Sequence, residues 1–273
     1  MLRHAAKALL PPFLGGGARE LYLSLRRVPA LGGAYMHPWR RESISRLAAL
    51  RDSYGGRRAF IVGNGPSLRR MDLSWLRSEF TFGLNRIYLM FSDLGFETSC
   101  LVSVNDLVVE QSLHEMQALS IPKFLAWRSR RFLPAGTSGS DLPTFLYTTY
   151  ESPKFARDAR GRLWEGATVT YVALQLAYHM GFQQVVLIGV DHHFATTGQA
   201  NQTVTSMGDD PNHFSTRYFG KGFRWQLPDL DTSETAYALA RDAFQRVGRE
   251  VLDATVGGRL TIFPKAEYRS LFK

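Results

Sequence analysis

The side chains of this chain that could do chemistry follow short apolar runs. Phe60-Ile61-Val62 leads into Gly63-Asn64-Gly65-Pro66-Ser67-Leu68. Phe80–Leu84 stops at Asn85, Leu101–Val104 at Asn105-Asp106, and Gln184–Val190 at Asp191-His192-His193, while Thr168 opens a helical run. Amides and hydroxyls make directional hydrogen bonds, which suits a base and a ribose, and a helix N-terminus suits phosphate. Gly63 and Gly65 lack a Cβ, so they can take φ > 0 and let the backbone approach a ligand closely. The candidate nucleotide-binding residues are therefore Gly63, Asn64, Gly65, Ser67, Asn85, Asn105 and Thr168. The plainer alternative makes each Asn a turn residue or strand cap. Recurrence at several strand ends favours a shared pocket, because parallel strands gather those ends on one edge of a sheet.

Other chemistries lack their patterns. No Gly-Lys-Ser/Thr follows Gly65, so there is no Walker loop, and the third glycine of the dinucleotide fingerprint is missing. His-Glu-x-x-His is absent, and the lone Cys100 excludes an internal disulfide framework and a cysteine zinc site. Cys100 sits in an apolar run and reads as a small core residue. His179, late in a helix, reads as partly buried.

The elements that must position these groups alternate between helix-like and strand-like. A helix is expected over 41–51, ended by Gly55-Gly56, followed by strands at 59–62, 80–84, 101–104 and 123–127. A helical turn is expected at 73–76 and a helix at 108–119. Residues 128–164, with Arg128, Arg130 and Arg131 and then Pro134-Ala-Gly-Thr-Ser-Gly-Ser-Asp, read as a long loop or lid-like region, which in a compact domain is often functional. A helix over 168–180 ending at Gly181 precedes the apolar strand 184–190, the kind found in a parallel sheet covered on both faces. Residues 195–226 read as an active-site loop. Asp231 and Glu234 have capping-box spacing for a helix running to Val247. Strands at 249–253 and 259–262 and a closing helix over 265–272 complete the reading. The fold class is α/β: a Rossmann-like, mostly parallel sheet with helices on both faces, a lid-like loop region and a basic N-terminal appendage.

The 273 residues suit one large domain with an appendage, and 45% apolar with 21% charged residues suits a chain that buries a core. One cysteine fits a reducing, cytoplasmic setting. The formal net charge of +9 is unevenly placed. Residues 1–58 hold eleven Arg and Lys against Glu20, Glu42 and Asp52, a net of +8. Arg3, Lys7, Arg19, Arg26 and Arg27 alternate there with leucines and Phe13, giving a basic amphipathic segment over 1–41. Such a stretch can lie on an anionic membrane surface at the inner face of the cytoplasmic membrane, or pack its leucines on the domain. Pro11 and Pro12 interrupt its apolar run, so a secretory signal is not expected. No nucleic-acid module accompanies the charge, and nothing in the sequence specifies an oligomer.

Gly63-Asn-Gly-Pro-Ser-Leu, Gly83-Leu-Asn-Arg-Ile-Tyr, Gly166-Ala-Thr-Val-Thr-Tyr and Leu187-Ile-Gly-Val-Asp-His together resemble the MptE-like domain family. That family takes its name from an archaeal 6-hydroxymethyl-dihydropterin diphosphokinase. It also includes the central domain of flagellin-glycosylating motility accessory factors. The runs from His213 to Trp225 and from Asp253 to Leu260 resemble bacterial members, so the likeness covers roughly residues 42–273. The same motifs are similar to bacterial sialyltransferases that use CMP-sugars. That similarity implies that Asn64, Ser67, Asn85, Asn105 and Thr168 bind the CMP part of a donor. Ala167 stands where that family has Thr. It also implies a catalytic His in a loop before a helix, for which His213 is the nearest candidate, with His192 and His193 competing and Asp191 beside them.

The implied activity is glycosyl transfer from a CMP-activated acidic sugar, sialic-acid-like or Kdo-like, to a glycan or lipid-linked acceptor. No metal or other cofactor is required. A His suits deprotonation of the acceptor hydroxyl, since its unperturbed pKa lies near neutrality. Arg217, Lys221 or Arg224 could neutralise phosphate or an acceptor carboxylate. The rival is diphosphate transfer from a nucleoside triphosphate to a hydroxymethylpterin-like substrate. That chemistry needs Mg²⁺, with Asp106, Asp191, Asp209 and Asp210 as available ligands, although Asp209-Asp210-Pro211 reads better as a turn. A third alternative is a nucleotide-binding scaffold held at a membrane without turnover.

Overall fold

The computed structural model describes residues 31–272. The chain divides into two compact units at Arg41/Glu42, and the sheet and the candidate site belong to the second. Most of the basic amphipathic segment lies outside the described residues. Among the described residues, no helix is long and apolar enough to cross a membrane.

The second unit is built on one parallel sheet. Its strands are β1 (Arg58–Val62), β2 (Phe80–Leu84), β3 (Cys100–Ser103), β4 (Lys123–Ala126), β5 (Thr144–Thr149), β6 (Arg162–Trp164), β7 (Gln184–Ile188) and β10 (Glu250–Asp253). Their spatial order is β10-β7-β1-β2-β3-β4-β5-β6, with every neighbouring pair parallel. The chain steps from β1 outward to β6, then returns to place β7 on the other side of β1. That reversal opens a crevice at the carboxyl ends of β1 and β7, where open α/β sheets bind ligands. Strands β8 (Thr203–Thr205) and β9 (Arg224–Gln226) form a separate antiparallel pair.

Period-2 alternation explains the core. Ala59 and Ile61 of β1, Phe82 of β2, Val102 of β3 and Val185 and Leu187 of β7 join a cluster with the helix Val169–Met180. The intervening residues are buried too: Phe60 is fully enclosed and stacks on Phe272 at 5.5 Å. A sheet covered on both faces needs apolar strands throughout, as the sequence shows. Every residue of Val169–Met180 from Thr170 onward is buried, because the sheet takes one side and the helix Leu230–Gln245 another, with Tyr178 edge-on to Phe244 at 5.3 Å.

Several expectations are corrected. Residues 128–164 are not a long loop: they contribute β5 and β6 and widen the sheet to eight strands. Gln175, buried in the central helix, holds this region. Its Oε1 accepts from the N–H groups of Ala156 (3.1 Å) and Trp164 (3.2 Å), and its Nε2 donates to the Trp164 carbonyl (2.7 Å). Short strands with little apolar alternation are specified by such tertiary bonds rather than by pattern. Residues 259–262 form no strand, and what was expected as a helix over 265–272 is a 3₁₀ turn at Tyr268–Phe272. The last long helix is capped by Asp229, whose Oδ1 accepts from Thr232 N at 3.1 Å, not by Asp231. The helix expected over 108–119 starts earlier, at Asp106, with Asn105 as its cap. His179 is buried, its Nε2 2.8 Å from the Leu47 carbonyl.

Cys100 is 1% exposed, and burial pushes its thiol well above the usual range. The thiol is therefore expected to resist a disulfide reagent in native buffer and to react stoichiometrically in denaturant. Rapid native labelling would contradict the core placement.

Candidate functional site

A cleft with a cavity volume of about 240 Å³ opens at the β1/β7 switch point. Its floor is Gly63-Asn64-Gly65 after β1, Asn85 after β2, Asn105 after β3 and Gly189 through Phe194 after β7. Ala167, Thr168 and Thr170 bring the N-terminal end of the central helix to it, and His213, Tyr218, Phe219 and residues 225–230 close it from the far side. Of the expected site residues, the cleft therefore gathers Gly63, Asn64, Gly65, Asn85, Asn105, Thr168, Asp191, His192 and His213. It does not gather Ser67, Arg217, Lys221 or Arg224.

The glycines serve a different purpose from the one expected. Gly65 has φ −69°, and Gly63 also lacks a positive φ. What each needs is the absence of a Cβ. On Gly65 that atom would lie 1.7 Å from Asp191 Oδ2, and on Gly63 it would lie 2.3 Å from the Gly189 carbonyl oxygen. The turns after β1 and β7 are pressed together, with Gly63 N donating to Ile188 O at 2.8 Å and Gly65 N to Gly189 O at 2.9 Å. The close approach is between two strand ends.

Ser67 and Asp191 form the lock. Ser67 Oγ donates to Asp191 Oδ2 at 2.6 Å and Ser67 N donates to Oδ1 at 3.2 Å. Ser67 is 1% exposed, so its hydroxyl faces this carboxylate and is not offered to a ligand. Asp191, a catalytic candidate from its place in the sequence, is engaged on both oxygens and holds the turn.

The amides differ in how free they are. Asn105 Oδ1 accepts from Leu107 N (2.9 Å) and Val108 N (3.3 Å), and its Nδ2 donates to Gln226 Oε1 (3.1 Å). This Asn is both a helix cap and a tie to the far wall. Asn85 adopts φ +49°, a conformation Asn tolerates, and accepts from Ser103 Oγ at 3.0 Å. Thr168 caps its helix by accepting from Thr170 N at 3.2 Å. Ala167 before it has φ +59°, a left-handed conformation that costs a non-glycine residue free energy. Asn64 stands apart: it is 9% exposed, and its enclosed Oδ1 has no hydrogen-bond partner. An orphaned buried amide oxygen costs about 1–3 kcal/mol, which a bound donor would recover.

Three histidines line the cleft, His192, His193 and His213, and the first and last differ in their partners. His192, at φ +53°, places Nε2 2.9 Å from Glu234 Oε1. His213 places Nδ1 2.7 Å from Asp210 Oδ2, stacks on Tyr218 at 3.9 Å between centroids and meets Phe219 edge-on. Burial works to raise the Asp210 carboxyl. The His213 hydrogen bond and charge and the N–H groups of Asn212 and Phe219 outweigh it, so the carboxyl lies below its ordinary value. An ionised carboxylate only accepts, so His213 Nδ1 carries the hydrogen and Nε2 is the ring nitrogen left without that contact. Asp210 was considered in the sequence as a turn residue or a magnesium ligand. Its i, i+3 spacing to His213 was the available signal of this pair.

The cations expected at the site lie elsewhere. Arg224 pairs with Glu110 at 2.9 Å, while Arg217 and Lys221 are exposed. Among the described residues, no lysine or arginine lines the cleft, whose lining carboxylates are Glu165, Asp191 and Asp229. Glu165, 3% exposed, is matched by Arg128, which also reaches Tyr150 Oη at 2.6 Å. Sequence reading missed this pair because only the sheet brings residues 128 and 165 together. Asp106 is taken by Ser129 and Arg131.

Fold and site thus define a Rossmann-like α/β protein with a polar cleft at the sheet's switch point. Residues 39–197 match the family described as 6-hydroxymethylpterin diphosphokinase MptE-like, and the chain belongs to that family. No curated protein matches the chain. Among solved structures it is similar to the MAf glycosyltransferase from Magnetospirillum magneticum AMB-1, at 15% identity and a TM-score of 0.45, over 85% of this chain and 39% of that one. The chain thus spans about two-fifths of that protein's length.

Two outcomes follow from the geometry. Gly65→Ala is expected to displace the Asp191 carboxylate and lower stability by about 1–3 kcal/mol in denaturant titration, and an unchanged midpoint would contradict the lock. Asp210, with its depressed folded pKa, contributes stability that is complete above its unfolded pKa of about 3.9 and fades as pH falls from there through the lower folded value. Asp210→Asn should remove that part of the acid dependence, visible as a flatter stability curve below about pH 4.

Proposed function

We propose that the protein is a transferase that moves a CMP-activated acidic sugar onto a hydroxyl of a glycan or lipid-linked acceptor. The observation that carries the reading is the Asp210-held His213 in the wall of the cleft that contains Asn64, whose buried Oδ1 has no partner. The acceptor hydroxyl gives its proton to His213 Nε2 as its oxygen bonds to the anomeric carbon. The bond from that carbon to the CMP phosphate breaks, leaving its electron pair on the phosphate. Neutral donors and the positive end of the helix Val169–Met180 would receive the leaving phosphate. A general base in this position contributes about 10²–10⁴-fold to rate. A lipid-linked acceptor fits the basic residues 1–58.

The family's description favours a second reading, diphosphate transfer from magnesium-bound ATP to a hydroxymethylpterin-like substrate. Among the aspartates considered as metal ligands, Asp191 lines the cleft but is bonded to Ser67, Asp210 serves His213, and Asp209 is exposed. Among the described residues, a triphosphate would meet no lysine or arginine in the cleft lining.

Calorimetric titration separates the readings. CMP is expected to bind equally well with and without a chelator, and Asn64→Ala to weaken it about tenfold, the equivalent of about 1.4 kcal/mol. Binding of ATP with magnesium but not of CMP would overturn the transferase reading in favour of the diphosphokinase. Nucleotide binding with no product from any acceptor would favour the non-catalytic scaffold.

A further inference from the structure

We propose that Arg86 is a positioning residue for His213, acting through the peptide group that joins Tyr218 to Phe219. This rests on the reading of His213 as the base. Arg86 follows Asn85 in the run Gly83-Leu-Asn-Arg-Ile-Tyr, and neither the sheet nor the cleft lining accounts for it. It is 8% exposed, a depth at which a guanidinium requires partners. Nη1 donates to the Tyr218 carbonyl and to the Arg217 carbonyl at 3.3 Å, Nε donates to Tyr88 Oη at 3.2 Å, and the guanidinium carbon lies 5.0 Å from the centre of the Phe223 ring. Glu115, 3.5 Å from Nη2, completes its surroundings.

The carbonyl of Tyr218 and the N–H of Phe219 belong to one planar peptide unit. Arg86 grips its oxygen. Its N–H donates to Asp210 Oδ2 at 3.1 Å, and that same oxygen accepts from His213 Nδ1 at 2.7 Å. The result is a continuous chain from guanidinium to peptide to carboxylate to imidazole. A cation on the carbonyl polarises the peptide and strengthens its N–H as a donor, and in a buried site such bonds reinforce one another. The Tyr218 ring, 1% exposed and stacked at 12° on His213, is fixed by the same backbone. Arg86 thus sets both the orientation of the carboxylate that holds the imidazole and the plane against which it rests. Losing a fixed orientation of a catalytic group costs about tenfold to a hundredfold in rate.

The test is proton NMR of the full chain labelled with ¹⁵N-histidine, following the His213 Nδ1 proton, together with turnover of a CMP-activated sugar. In Arg86→Gln, which keeps a neutral donor, the Nδ1 resonance is expected to move upfield or be lost to exchange. The variant's kcat is expected to fall about tenfold or more with donor KM unchanged. Arg86→Lys keeps the cation but loses the fork, and should give an intermediate resonance. It serves alone if the glutamine variant does not fold. A wild-type resonance in either folded variant, or a loss confined to KM, overturns the proposal. The resonance needs no substrate, so the chain is tested even if the CMP-sugar reading fails.

Discussion

The site depends on one carboxylate. Asp191, at the end of β7, accepts both the hydroxyl and the N–H of Ser67 across the gap to β1. That contact is possible because Gly65 has no Cβ to occupy the space. A parallel sheet fixes the strand ends about 4.8 Å apart but leaves the loops beyond them free. Here a charge-assisted hydrogen bond, stronger than a neutral one, removes that freedom. It orients the Gly63-Asn64-Gly65 turn and so decides where the Asn64 amide stands.

A second set of contacts hangs the opposite wall from the same floor. Phe214 N donates to Asn64 O at 2.9 Å, Arg69 grips the Phe214 carbonyl, and Asn105 reaches Gln226. Residues 195–226 have little regular structure beyond the β8/β9 pair, so these links to strand ends, rather than a ladder of their own, hold His213 against the cleft. Ordering such a segment costs conformational entropy at every residue. The aromatic packing of Tyr218, Phe219 and Trp225, each buried, offsets it.

Much of the sheet could be read directly. β1, β2, β3 and β7 are apolar runs ended by glycine or polar residues, and a strand buried on both faces leaves that mark. β5 and β6 left no such mark, because Thr144–Thr149 and Arg162–Trp164 are half-polar, and β6, the edge strand, is fastened by Gln175 from a helix. The convergence of Asn64, Asn85, Asn105 and Thr168 was legible because parallel strands carry their ends to one edge. The engagement of each was not: Ser67 and Asn105 have the residue types of ligand contacts but spend their polar atoms on the protein. Arg217, Lys221 and Arg224 had suitable charge, yet they lie outside the cleft lining, and Arg224 pairs with Glu110.

By itself the sequence determined the α/β class, the strand ends that bear polar residues and the family to which the chain belongs, since periodicity and local turn chemistry depend on neighbours along the chain. The tertiary structure decided the strand order that opens the crevice between β1 and β7. It also decided the pairing of Asp191 with Ser67, 124 positions away, and the freedom of Asn64 alone among the amides to lack a partner for its buried oxygen. Those depend on which side chains reach each other once the chain is folded, and hydrogen bonds between distant residues leave no periodic trace.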